Sequence, residues 1–275
     1  MNLSDRIKQL VNSQFDELVA TRRHLHSHPE LSFQEFKTTA FIANKLQQRG
    51  YDLRKITETG GFVDIKGKNP EKRIVALRGD IDALPIIEQN TTDYISQNKG
   101  VMHACGHDVH TTNLLGAIAI LDELKNEFEG TVRCIFQPGE ERLPGGASIM
   151  IKNGVLKNPE VESIFGQHVM PLIDAGKVGF RNGLYMASAD EIYIKVIGKG
   201  GHGAHPHQNI DPVMIAAHII TQLQTIPSRR AKPSIPTVLS IGKVIAEGST
   251  NIIPNEVYME GTFRTYDEEW RMRAH

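Results

Sequence analysis

Between Gly61 and His168, short runs rich in β-branched and aromatic residues alternate with runs of helical pattern. Strand candidates lie at 61–65, 73–78, 131–137 and 161–168, with helices at about 108–128 and 147–153. Strand, helix, strand is the grammar of an α/β domain, a mainly parallel sheet covered by helices on both faces. Two core-covering helices are expected before it. Ile7, Leu10, Val11, Phe15, Leu18 and Val19 recur at helical spacing behind Ser4, a residue suited to an N-cap, and a second helix runs over 38–49 with Gly50 as its stop.

Near Ala187 the pattern changes. Ile192, Ile194 and Val196 alternate with polar residues, Asp211-Pro212 opens a helix carrying Val213, Ala216, Ala217, Ile220 and Leu223, and strands follow at 237–245 and 256–265. The order β-α-β-β is the first part of the ferredoxin-like β-α-β-β-α-β motif, with the next helix due near Asp267. The expectation is one domain over 1–186 and a second, α+β and incomplete, over 187–275.

Charge and hydropathy exclude some partners. Lys and Arg number 31 against 32 Asp and Glu, so the net charge is -1 and gives no electrostatic reason to bind nucleic acid. The longest apolar run, Leu114 to Leu121, falls far short of the ~18 residues that span a bilayer, and Met1-Asn2-Leu3-Ser4-Asp5 opens a polar amphipathic stretch without the apolar region expected of a signal peptide. A cytoplasmic protein without a membrane partner is expected. The two cysteines, Cys105 and Cys134, form no disulfide framework, and Cys134, set among Val132, Ile135 and Phe136, reads as a core residue.

Four segments carry chemistry. His103-Ala104-Cys105-Gly106-His107-Asp108-Val109-His110 sits directly before a helix, and on an extended stretch Cys105 and His107 would point to the same side, as two ligands of one metal must. The same residues also suit a nucleophilic thiol with His103 or His110 as its base. Glu140 and Glu141 follow a strand at the sheet edge where open α/β folds bind ligands; their side chains should diverge, one to a metal and the other to the water it activates, unless they are merely a surface pair. His168 ends the next strand, and a hydrogen-bonded core histidine is the alternative there. Asp80 and Asp82 end a fourth, either as carboxylates orienting metal-bound histidines or as an Asp-rich turn before Pro85. By contrast, Gly198-Lys199-Gly200-Gly201-His202-Gly203 fits the dinucleotide fingerprint only formally, since no helix opens behind it.

Together with Arg22-Arg23-His24-Leu25-His26 and Pro29-Glu30-Leu31-Ser32-Phe33, these segments resemble the dinuclear-metal amidohydrolases of the aminoacylase/carboxypeptidase superfamily, in the branch of hippurate hydrolase, N-acyl-amino-acid amidohydrolase and N-acetyldiaminopimelate deacetylase. The resemblance implies two divalent metal ions (Zn, Mn, Co or Ni) held by Cys105, His107, Glu141 and His168, with Glu140 as general base and Asp82 behind the ligands. It further implies that the second domain is a lid or dimerisation domain, making a homodimer of the full-length protein. There His202 would polarise the scissile carbonyl, and Asn251 and Arg264 would contact the substrate carboxylate. The implied reaction is hydrolysis of an N-acyl amino acid to a carboxylic acid and a free amino acid. A related metallo-carboxypeptidase or dipeptidase, or a silent fragment, is the alternative. Family members run on for roughly a hundred residues more, which complete the lid and return to the first domain with a last histidine ligand, so a truncated chain is expected.

Overall fold

The computed structural model describes residues 2–275, which form two compact units, one reaching Asp174 and one from Ala175 to His275. In the first, strands β1 (Gly61–Lys66), β2 (Ile74–Asp80), β3 (Thr131–Gln137) and β4 (Ser163–Gly166) make a sheet of order β1-β3-β2-β4. β3, β2 and β4 are parallel, as expected, whereas β1 runs antiparallel to β3. The link from Gly67 to Arg73 is too short for the dozen or so residues a parallel crossover needs.

Helices α1 (Leu3–Ser27), α2 (Phe36–Gln47), α3 (His107–Glu123) and α4 (Gly146–Lys152) cover this sheet. Because side chains alternate along a strand, the sheet builds two cores. Leu77, Val132, Cys134 and Phe136 pack with Ile42, Leu46, Leu114 and Ile118 of α2 and α3, while Ala76 and Ile135 pack with Met150 of α4. Cys134 is fully buried there, and burial pushes its thiol up to about 12.

α1 departs from expectation at its start. Its N-cap is Asn2, whose Oδ1 accepts the Asp5 N–H at 2.9 Å, and not Ser4. Ile7, Val11 and Phe15 remain exposed, because α1 has 25 residues and overhangs the 17-residue α3 on which it packs. Only its last turns, with Leu25 and His26, are buried.

The second unit holds β5 (Asp190–Ile197), β6 (Gly201–His202), α5 (Pro212–Leu223), β7 (Thr237–Ile245), β8 (Ile252–Ile253), β9 (Glu256–Thr265) and α6 (Glu268–Ala274). Its antiparallel sheet has the order β5-β9-β7, the third long strand between the first two, as in a ferredoxin-like fold. Asp211 and Asp267 cap the two helices, accepting the N–H groups of Val213 and Trp270 at 2.8 and 2.7 Å. The core joins Val196, Ala216, Val257 and Met259 to a second cluster of Leu239, Phe263 and Trp270. The two-residue strands β6 and β8 are too short to leave an alternating pattern in the sequence. Among the described residues no helix is long and apolar enough to cross a membrane.

Candidate metal centre

β2 and β3 end side by side, Asp80 in register with Gln137, and the chain leaving each strand turns towards the first residue of α3, His107. That imidazole is fully buried. Its Nδ1 lies 2.9 Å from the backbone carbonyl of Asp82 and 3.2 Å from Asp82 Oδ1, so the proton sits on Nδ1 and the lone pair on Nε2. Around Nε2 stand Asp80 Oδ2 at 3.6 Å, Glu141 Oε1 at 3.8 Å and Glu140 Oε2 at 3.9 Å. Two of these atoms, His107 Nε2 and Glu141 Oε1, are buried without a hydrogen-bond partner, while Asp80 Oδ2 is paired with the Arg78 guanidinium at 2.6 Å. Buried orphan acceptors facing one another are costly unless a cation lies among them.

Cys105 and His168 close the other side. Cys105 Sγ is 3.3 Å from His168 Nε2, and Cys105, His107 and His168 offer ligand atoms all within 4.8 Å of one another, as do His107, Glu140 and Glu141. His107 is common to both groups. Thiolate, imidazole and carboxylate donors at this spacing fit a divalent transition metal.

The means of convergence differ from those read in the sequence. Cys105 is not on an extended stretch: it occupies a bend, and Gly106, left-handed at φ 91°, turns the chain into α3. A Cβ on Gly106 would stand 2.2 Å from Val169 Cγ2, so both the turn and the approach of the His168 segment need glycine. Glu140 and Glu141 do not diverge either. The bend after Gly139 brings a carboxylate oxygen of each within 4 Å of His107 Nε2.

Negative charge gathers here, and among the described residues only Asp80 has a cationic side chain paired with it, Arg78 at 2.6 Å. Burial, then the neighbouring Glu141 carboxylate, raises Glu140 above the ordinary carboxylate range. Burial and Glu141 likewise push the Cys105 thiol up to about 12. Asp80 is held down to about 2 in spite of burial, chiefly by its hydrogen bond from His110 and by His107 and Arg78. A thiol so raised is a poor nucleophile, and a bound cation would lower it.

The sequence reading missed the work of His110 and Ser32. His110 Nδ1 donates to Asp80 Oδ1 at 2.6 Å and its Nε2 accepts the Val169 N–H at 3.0 Å, so both ring nitrogens are engaged and it ties the chain beside His168 to β2. The three-residue spacing of His107 and His110, one face of a helix, was the available signal. Ser32 Oγ donates to Asp82 Oδ2 at 2.6 Å. His103 is buried with both nitrogens unpartnered, and burial pushes it down to about 4, so it is a neutral imidazole. The remaining candidates belong to the second unit and are exposed: His202 on β6, Asn251 before β8, and Arg264 on β9. β6 and β8 bring the first two together, the Gly203 N–H donating to the Asn251 carbonyl at 2.8 Å.

A mixed α/β sheet whose carboxyl edge gathers cysteine, histidine and paired glutamates defines a metallohydrolase. The profile of peptidase family M20/M25/M40 matches residues 76–271, and the chain belongs to that family. It is 46% identical over 268 residues to the N-acyl-L-amino acid amidohydrolase of Geobacillus stearothermophilus, covering 97% of this chain and 72% of that one. To the N-acetyl-L-cysteine deacetylase of Bacillus subtilis it is 44% identical, covering 93% of this chain and 61% of the relative. Among solved structures it is similar to the Bacillus subtilis YXEP protein, a dinuclear metal binding peptidase of the M20 family, with a TM-score of 0.75 and 39% identity over 95% of this chain and 67% of that one. The chain thus spans roughly two thirds of the length of these proteins.

Proposed function

We propose that this protein hydrolyses the amide bond of N-acylated amino acids with two divalent metal ions, Zn, Mn, Co or Ni, held by Cys105, His107, Glu141 and His168. The observation that carries the reading is His107: a buried imidazole with its proton fixed towards Asp82 and its bare Nε2 facing Glu140 and Glu141. Relatives named for amidohydrolase and deacetylase activity support the substrate class.

A bound metal pair would supply a water of lowered pKa and an electrophile for the acyl oxygen. Glu140 accepts the proton of the attacking water at a carboxylate oxygen and delivers it to the nitrogen of the leaving amine. Its raised affinity for a proton suits both halves of that transfer. Asp82 holds His107 in the tautomer that leaves Nε2 free. The resemblance assigns His202, brought in by lid closure or from a partner subunit, to donate to the developing oxyanion, and Asn251 and the guanidinium of Arg264 to contact the amino-acid carboxylate. We place the protein in the cytoplasm, acting on small molecules, as a homodimer joined through the second unit.

The test is hydrolysis of N-acetyl and N-benzoyl amino acids by protein loaded with each metal in turn. In a full-length form, turnover in the usual range of about 1–10³ s⁻¹ that disappears with chelator is expected. Metal-loaded protein that cleaves dipeptides but no N-acyl amino acid would replace the reading with a dipeptidase.

A further inference from the structure

Glu35, at the N-cap of α2, is a fully buried carboxylate outside the metal cluster. Its Oε1 accepts two backbone N–H groups, from Phe33 at 2.9 Å and from Gly139 at 2.8 Å, and its Oε2 accepts the Thr59 hydroxyl at 2.7 Å. Three separate segments therefore meet on one side chain: the turn before α2, the loop before β1, and the bend that leads from β3 to Glu140. Gly139 is left-handed at φ 55°, and a Cβ there would lie 2.4 Å from the Phe33 ring. The bend is thus packed against Phe33 on one side and hydrogen-bonded to Glu35 on the other. Next to it the Glu141 N–H is held by Asp82 Oδ2 at 3.0 Å.

From this we infer that Glu35 is a positioning residue for Glu140: by fixing the Gly139 amide it sets where the Glu140 carboxylate stands against His107. A carboxylate this deep is expensive to keep unless its acceptors are used, and all three of its partners are donors. Its reach matters as well as its charge. Aspartate, one methylene shorter, cannot span from α2 to Gly139. Glutamine keeps the length and its carbonyl can accept both backbone N–H groups, while its amide faces Thr59 Oγ, which can accept. Thr59→Val leaves Oε2 without its donor and so loosens the same carboxylate at unchanged volume.

The inference rests on the proposed role of Glu140, so its test reads the site in two ways: kcat and KM on N-acetyl amino acids, and the visible absorption of Co(II)-loaded protein, each beside the thermal midpoint. Glu35→Asp should lose at least tenfold in kcat with KM little changed, and should shift the Co(II) bands. Glu35→Gln should stay within threefold of wild type with its spectrum unaltered. Thr59→Val should fall in the same direction as Glu35→Asp by a smaller factor, and it decides the matter if Glu35→Asp does not fold. Should the wild type take up Co(II) without hydrolysing these substrates, the proposed reaction fails and the spectra alone judge Glu35. Folded Glu35→Asp and Thr59→Val proteins with wild-type spectra and kcat would overturn the inference, as would a loss in Glu35→Gln equal to that in Glu35→Asp.

Discussion

Asp82 holds His107 and the Glu141 backbone with the two oxygens of one carboxylate: Oδ1 lies 3.2 Å from His107 Nδ1, and Oδ2 accepts the Glu141 N–H at 3.0 Å. A single side chain thus orients one imidazole and the main chain of one glutamate of the proposed metal centre. Ser32 Oγ donates to the same Oδ2 at 2.6 Å. Every group touching Asp82 in this way is a donor, which keeps it ionised despite burial.

Asp82→Asn should therefore weaken metal binding by roughly 10–100-fold, the usual cost of losing a carboxylate behind a metal-bound histidine. The new amide can accept from His107 only by turning its NH₂ towards Ser32 and the Glu141 N–H, both donors. Competition with a chromophoric chelator measures the affinity, and an unchanged value would remove Asp82 from the support of His107.

Glu140→Gln and Glu141→Gln should part company. The first keeps the shape of the bend but cannot take a proton, so turnover should fall by about 10²–10⁴-fold with metal content retained. The second changes an orphaned, buried oxygen facing His107 Nε2, so metal and rate should fall together. Elemental analysis beside initial rates distinguishes the two, and equal metal loss in both variants would contradict the division of labour.

Stability offers a prediction away from the metal cluster. His26 Nδ1 donates to Asp108 Oδ2 at 2.8 Å and Nε2 to Glu88 Oε1 at 3.0 Å, with Arg22 Nε paired to the same Asp108 oxygen at 2.9 Å. Its hydrogen bond to Asp108, and then that to Glu88, raise His26 above its ordinary value against the pull of burial and Arg22. Stability from a raised histidine is fully present below its unfolded pKa, near 6.5, and is lost as pH rises through the higher folded value. His26→Leu should thus cost about 1–3 kcal/mol near pH 6 and progressively less towards alkaline pH. Denaturant unfolding across pH 5–9 checks this, and a difference that grew with pH would show His26 to be neutral in the fold.

Much of this architecture was written in local pattern. β3 and β9 carry β-branched and aromatic residues, Val132, Ile135 and Phe136 in the one and Val257, Tyr258 and Phe263 in the other, and Asp211 and Asp267 mark the starts of their helices with capping side chains. The antiparallel β1 and the exposed half of α1 were not legible, because pairing direction and overhang depend on which elements meet far along the chain. The metal cluster was legible as residue types at strand ends. Its geometry was not, since two bends, at Cys105-Gly106 and after Gly139, decide where the side chains point. Glu35 left no sign at all, for a buried carboxylate reads in sequence like any surface glutamate.

Cys105 separates the two chemistries its motif allows. The thiolate is the nucleophile, yet burial and the Glu141 carboxylate push this thiol up to about 12. The one imidazole beside it, His168 with Nε2 at 3.3 Å, is grouped with it and His107 around a common point, as ligands of one metal would be. His103 and His110 cannot serve it as bases: the first has no hydrogen-bond partner at all, and the second spends both nitrogens on Asp80 and Val169. Cys105→Asp keeps an anionic donor while abolishing any thiol nucleophile. That variant should hold metal and retain chelator-sensitive hydrolysis, whereas Cys105→Ala should lose metal and rate together. In the metal-free wild type, iodoacetamide should label Cys105 only slowly at pH 7, because the thiolate fraction is small. Complete loss of turnover in Cys105→Asp with its metal still bound, or rapid labelling of Cys105 in the metal-free protein, would return the cysteine to the role of nucleophile.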